Sequence, residues 1–210
     1  ELKIAAWMHD IGKVTTPVEV VEKAKKLQTI FDRIEFIDLR ICFIIQQLEK
    51  TFLNEKLILL QDGSNSNKIS IIEKQQKEKC QELMEIRDFI KQCNNPGEFL
   101  EDEKIARLEE ISKMTWKDFD GEEKPFLDQD ELLNLSIRRG SITESERKKM
   151  QNHAAVTLKM LNKIPFTKKL KNIPLYAGAH HEFINGGGYP LGLKGKEIPF
   201  EGKIMCVTDI

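Results

Sequence analysis

The sequence predicts an all-α protein containing one long antiparallel helical hairpin. Apolar residues recur at intervals of three and four, and no sustained alternating run of the kind a half-buried strand requires is present. In addition, Ile30, Ile34, Ile37, Ile41, Ile44 and Leu48 follow the three-four alternation of a coiled-coil seam.

The elements follow in order. Glu1–His9 reads as the late part of a helix, with Leu2, Ala5, Ala6 and His9 on one face. A long helix then runs from about Val18 or Leu27 to about Leu60. Turn-forming and solvent-seeking residues from Gln61 to Asn67 interrupt it. A second helix, about Lys68 to Cys93, presents Ile69, Ile72, Leu83, Ile86, Ile90 and Cys93 to the first. It stops at Asn94-Asn-Pro-Gly97, where proline cannot continue the ladder and glycine supplies the left-handed exit. A shorter helix from about Glu98 to Met114 uses Leu100, Ile105, Leu108 and Ile111, and Thr115 to Pro125 is expected to be a loop. Thr143-Glu-Ser-Glu146 is a capping box that starts a helix carrying His153. Pro165 and Pro174 bracket the next turns, and Tyr176–His181 reads as a helix ending in a histidine pair. Three consecutive glycines at 186–188 require a loop. A helix is expected to resume at Val207 and carry Asp209 towards Ile210.

With 33 basic and 34 acidic residues the formal charge is −1, so bulk electrostatics gives no case for a nucleic-acid polymer or a membrane surface. Cys42, Cys80, Cys93 and Cys206 form no CxxC pair, which fits a reducing cytoplasm better than a disulfide framework. No apolar run approaches the length of a membrane span, and no signal peptide is visible. A helix already under way at Glu1 and a chain stopping just after Thr208-Asp209 suggest a piece of a longer protein.

All four histidines sit in metal-site contexts: His9 beside Asp10, His153 on a helix, and His180 next to His181. Imidazoles and a carboxylate suit borderline divalent metals such as Fe, Mn or Zn and leave room for water, so the chemistry to which they point is metal-dependent hydrolysis. Adjacent helical side chains diverge by about 100°, so His9 and Asp10 can serve one centre only where the chain turns, at Gly12.

His9-Asp-Ile-Gly-Lys13, His153 in its helix, His180-His-Glu-Phe-Ile-Asn-Gly-Gly-Gly-Tyr-Pro190 and Val207-Thr-Asp209 together resemble the HD-GYP branch of the HD-domain phosphohydrolases. The resemblance covers about residues 1–27 and 139–210, which would form an HD-domain helical core, and leaves 28–138 as a helical insertion. It implies a centre of two or three divalent metal ions, usually Fe or Mn, that hydrolyses cyclic di-GMP in bacterial second-messenger signalling. Carried over, Asp10 would bridge two metals, His9 and Asp209 would serve one of them, and His153, His180 and His181 the other. Lys13 would meet the scissile phosphate, giving Asp10 and Lys13 the catalytic roles. Gly186, Gly188, Tyr189 and Pro190 would form a loop offering an aromatic platform to a guanine or to a partner.

Three departures accompany the resemblance. The family's upstream histidine falls before Glu1, its basic residues after the last Asp motif fall beyond Ile210, and Asn185 stands where the family usually has Asp. Two alternatives stay open: a regulatory module that binds without turnover, and an HD phosphohydrolase acting on another nucleotide. The apolar seam leaves open a homodimer through the insertion, and the family pattern leaves open an upstream sensor or receiver domain.

Overall fold

The computed structural model describes residues 1–61 and 66–209. Of the interrupting stretch expected at 61–67, residues 62–65 lie outside the described residues, as does Ile210. The described helices run in the order α1 (Leu2–Met8), α2 (Val18–Val21), α3 (Ile34–Gln61), α4 (Ser66–Asn94) and α5 (Asp102–Lys113). A two-stranded sheet follows, β1 (Thr115–Lys117) with β2 (Glu123–Pro125), and then α6 (Gln129–Leu135), α7 (Glu144–Leu161), α8 (Ile173–Gly178) and α9 (Phe200–Thr208). The fold is all-α apart from that small sheet. The chain divides into two compact units, one of Glu1–Glu22 with Thr143–Ile210 and one of Lys23–Ile142. None of the described helices is long and apolar enough to cross a membrane.

In the Lys23–Ile142 unit the long hairpin is present. α3 and α4 have 28 and 29 residues, so each extends about 43 Å at 1.5 Å per residue. Ion pairs from Asp38 to Lys91 and from Lys56 to Glu73 link opposite ends of the two helices and fix the antiparallel register. Ile37 and Ile41 pack with Leu83, Ile86, Ile90 and Cys93, while Ile34, Ile44 and Leu48 extend the seam as half-buried neighbours.

α3 begins later than expected. Residues before Ile34 are tied into a non-helical clasp: Asn94 Oδ1 accepts from Leu27 N–H, Asn94 Nδ2 donates to Asp32, and Gln28 Oε1 accepts from the amides of Ala24 and Lys25. Asp32 then accepts from Ile34 N–H at the helix start. Ile30 therefore leaves the seam and is largely exposed. α5 likewise starts at Asp102 rather than Glu98, after Leu100 N–H has bonded to the Arg138 carbonyl.

The expected loop from Thr115 to Pro125 is a β-hairpin, with Thr115 opposite Pro125 and Lys117 opposite Glu123. Its turn is held by Asp118, whose carboxylate accepts from Asp120 and Glu122 amides, and by Gly121 at φ +84°. One helix went unforeseen, α6, although Asp128 and Glu131 form a complete capping box. Glu131 also takes a two-pronged ion pair from Arg40, both contacts at 2.9 Å, which anchors α6 to α3. At the mouth of this unit Ser141 Oγ donates to the Lys23 carbonyl, so the entering and leaving chains are joined.

The other unit has a smaller core of Ala5, Leu161, Ile173, Ala177 and Met205. α1 presents Leu2, Ile4, Ala5 and Met8 to it; Ala6 is exposed, so the face expected from Leu2, Ala5, Ala6 and His9 is rotated. α7 starts at the Thr143–Glu146 capping box, as the sequence indicates. α8 is Ile173–Gly178, so His180 and His181 follow the helix instead of ending it. α9 starts at Phe200 and stops at Thr208, leaving Asp209 as its C-cap.

Candidate metal centre

The site is assembled by a hydroxyl. Thr157, one turn beyond His153 on α7 and fully buried, accepts from Gly12 N–H at 2.9 Å and donates to the His9 carbonyl at 2.9 Å. The turn at His9–Gly12 is thereby pinned to the helix that carries His153. Only glycine permits the approach: a Cβ at residue 12 would stand 2.0 Å from the His153 carbonyl oxygen.

This brings together the six residues singled out from the sequence. His153 Nε2 lies 3.3 Å and His180 Nε2 4.0 Å from Asp10 Oδ1. His9 Nε2 lies 3.4 Å from Asp10 Oδ2 and 3.0 Å from Asp209 Oδ1, and His181 Nε2 is 4.0 Å from Asp209 Oδ2. Among the described residues two triads could each hold a metal ion, His9-Asp10-His180 and His153-His180-His181, with the donor atoms of each within 4.8 Å of one another.

The orientation of the rings follows from local backbone geometry. His9, His153 and His180 each direct Nδ1 at the carbonyl three residues earlier, those of Ala6, Met150 and Ala177, at 2.5–2.7 Å. A carbonyl can only accept, so Nδ1 carries the proton and Nε2 offers its lone pair to the cluster. His153 Nε2, His180 Nε2 and Asp10 Oδ1 are buried with no hydrogen-bond partner. Lone pairs left facing one another without a proton are costly, and a divalent cation is the group that would satisfy them.

The electrostatics point the same way. Burial pushes the His180 imidazolium pKa down, and for His181 burial, aided by His180 and His153, brings it to about 4, so both rings are neutral and available near pH 7. Burial alone would raise Asp10. The hydrogen bond and positive charge of Lys13, with His9 and His153 alongside, outweigh it and hold the carboxyl below its usual range. Lys13 sits at the site as expected, ion-paired with Asp10 Oδ2.

Tyr189 N–H donates to the His181 carbonyl, and its ring stacks on the His181 ring at 4.8 Å between centroids and 30° between planes. One face of the expected aromatic platform is thus already used within the cluster. Gly188 lies so close to the chain at Glu182 and Phe183 that a Cβ would come within 2.3 Å of Phe183 N, and Gly186 has φ +79°. Pro190 follows Tyr189 in the same loop. Asn185 is exposed, and its Oδ1 accepts from Gly187 N–H at 2.9 Å. A carboxylate would cap that turn equally well, so the departure from Asp leaves the loop geometry unchanged.

Sequence reasoning missed two residues. Thr157 is the first. Glu182 is the second: buried, it accepts from the amides of Leu191, Gly192 and Leu193 at 2.6, 3.1 and 2.8 Å and folds the loop back beside the histidines. Neither carries a spacing signal; an acid directly after a histidine pair and before a glycine-rich loop was the only available hint for Glu182.

Residues 130–210 match a known protein family. That family is the HD domain. The HD domain is metal-dependent, and the match takes in His153, His180, His181 and Asp209, whereas His9 and Asp10 lie outside it. Among curated proteins the chain is 42% identical over 72 residues to the 3'3'-cGAMP-specific phosphodiesterase 3 of Vibrio cholerae serotype O1, covering 34% of this chain and 15% of that protein. It is 34% identical over 82 residues to a probable cyclic di-GMP phosphodiesterase of the same organism, covering 37% of this chain and 19% of the relative. It is 35% identical over 77 residues to a cyclic di-GMP phosphodiesterase of Thermotoga maritima, covering 36% and 20%. The chain thus spans a fifth or less of the length of these relatives. No solved structure gives a significant match.

Proposed function

We propose that this protein is a metal-dependent phosphodiesterase that hydrolyses cyclic di-GMP to linear pGpG, and onward to GMP where the second bond is also cut. The observation that carries the reading is the set of buried, unpartnered donor atoms on Asp10, His153 and His180, facing one another among the six residues singled out from the sequence. The names of the relatives support the substrate class.

In this reading His9, Asp10 and Asp209, together with His153, His180 and His181, would hold the divalent ions, with Asp10 as the carboxylate common to both groups. The imidazole and carboxylate donor set without thiolate suits a borderline divalent metal, and the resemblance to the HD-GYP branch favours Fe or Mn among these. When bound, the divalent ions supply Lewis acidity at the phosphate and lower the pKa of water. Nδ1–H bonds to backbone carbonyls hold His9, His153 and His180 with Nε2 inward. Lys13, now ion-paired with Asp10 at the rim of the cluster, would meet a phosphate oxygen of the substrate. Tyr189 supports His181 on one ring face, and Gly186, Gly188 and Pro190 shape the loop that admits the base. We further propose that the hairpin unit is an insertion within an HD core; the Ser141–Lys23 bond at its mouth supports that reading.

The test is product formation from cyclic di-GMP by the full-length protein loaded with Fe or Mn, with 3',3'-cGAMP as the competing substrate. Linear pGpG is the expected product. Metal-loaded protein that binds cyclic di-GMP and releases no linear product would overturn the enzyme reading in favour of a regulatory module, and preferential cleavage of 3',3'-cGAMP would move the substrate assignment.

A further inference from the structure

α3 is apolar on two opposite faces, and α4 satisfies only one. The inward face forms the hairpin seam through Ile37, Ile41, Ile44 and Leu48. The outward face carries a second run at Phe36, Leu39, Phe43, Gln46, Lys50, Leu53, Leu57 and Leu60, spaced alternately by three and four. That spacing is a heptad seam. Phe43 is half-buried against Trp116, while Phe36, Leu39, Leu53, Leu57 and Leu60 are each between 50% and 65% exposed. The outward positions of α4 behave differently: Lys74, Lys77, Glu78, Gln81, Glu82 and Glu85 give it the polar surface expected of a helix facing water.

We infer that a second copy of this chain covers the outward face of α3, pairing α3 antiparallel with its counterpart around a two-fold axis near residue 48. The pattern is self-complementary. Reversed end for end, Phe36 falls on Leu60, Leu39 on Leu57, Phe43 on Leu53, and the two polar positions, Gln46 and Lys50, on each other. An isologous interface requires each patch to match its own reverse, and an unrelated partner imposes no such symmetry. The alternating spacing also places each residue of one heptad class opposite the other class, as antiparallel helix pairs do. The five exposed apolar side chains offer on the order of 500 Å² per copy, roughly 1,000 Å² for the pair, which is the lower bound for a specific interface and short of the roughly 800 Å² per partner of a standard one. A polar pair at the centre of an apolar seam favours this register over slipped ones, which would bury Lys50 against leucine.

Sedimentation equilibrium on the intact chain tests the inference and does not depend on metal or turnover. The expected result is a concentration-dependent dimer that Leu53→Lys/Leu57→Lys weakens by about 100-fold or more, with helix content by circular dichroism unchanged. The milder Leu53→Ser covers the case in which the double variant fails to fold, and should still weaken the dimer. Orientation is read by cross-linking in a Cys42→Ser background. Mixed Leu39→Cys and Leu57→Cys chains should join to each other, and neither should join efficiently to itself. A monomer at every concentration, a dimer indifferent to Leu53 and Leu57, or self-linking of Leu39→Cys equal to the mixed product would each overturn the inference.

Discussion

Replacing Thr157 by Val keeps the shape of a fully buried side chain and deletes the hydroxyl that joins the Gly12 turn to α7. Two partners lose out. Gly12 is itself buried, so its N–H is left without an acceptor, at a cost of about 1–3 kcal/mol, and loss of the bond to the His9 carbonyl adds about 1 kcal/mol. The apo protein should therefore lose about 2–4 kcal/mol in urea unfolding. The same two bonds set where His9 and Asp10 stand relative to His153, so Mn²⁺ affinity by calorimetric titration should fall by about 10- to 100-fold, the usual scale for removing a group that orients ligands. Thr157→Ser retains the hydroxyl and drops only a methyl. It should cost about 1 kcal/mol and leave Mn²⁺ affinity near that of the parent. If Thr157→Val is as unstable as expected but binds Mn²⁺ like the parent, the hydroxyl is a structural bond with no positioning role. If neither quantity changes, the argument from these hydrogen bonds is wrong.

The remaining expectations concern neighbouring groups. Gly12→Ala forces a Cβ to within 2.0 Å of the His153 carbonyl, so the turn must move by more than 1 Å and Mn²⁺ affinity should fall further than for Thr157→Val; unchanged titration would contradict it. Asp10→Ala removes the carboxylate that three imidazoles approach, and should reduce Mn²⁺ affinity by at least about 100-fold while abolishing release of pGpG. Lys13→Ala should leave metal content intact and lower turnover of cyclic di-GMP by about 10- to 1000-fold, the scale of one charge contact to a developing oxyanion; a loss of metal instead would assign Lys13 to holding Asp10. Glu182→Gln weakens three charge-assisted bonds to backbone amides, and hydrogen exchange at Leu191, Gly192 and Leu193 should accelerate by about 10-fold or more if that carboxylate orders the loop.

The hairpin was legible because its seam is periodic, and periodicity survives without tertiary information. Its beginning was not. Ile30 continues the three-four pattern perfectly and still lies outside α3, because Asn94 and Gln28 offer the backbone of residues 24–32 hydrogen bonds that compete with helix formation. That competition comes from residues distant in sequence as well as near. The β-hairpin at 115–125 escaped notice for a different reason: its strands are three residues each, too short for any alternation to register, and their stability rests on the Asp118 turn. α6 was readable from its Asp128–Glu131 capping box alone, the same signal that located α7.

For the candidate site the division runs between donors and the groups that place them. Histidine is rare in this chain, so every occurrence stood out, and His9, His153, His180 and His181 do converge around Asp10 and Asp209. Thr157 and Glu182 act on backbone amides rather than on a metal. An amide is available at nearly every residue, so no spacing can announce which hydroxyl or carboxylate will claim it. Their importance follows from burial: a threonine bridging Gly12 to His9 in water would contribute little, whereas at zero exposure it leaves two main-chain groups with no other partner. The same physics orients two of the histidines, since the i−3 carbonyls that hold Nδ1 of His9 and His180 lie where a short helix ends, whereas His153 bonds the Met150 carbonyl inside α7. His9 follows α1 and His180 follows α8, so both donors stand where the backbone has acceptors to spare. The ends of the short helices therefore decide the geometry of this centre as much as the identity of its ligands does.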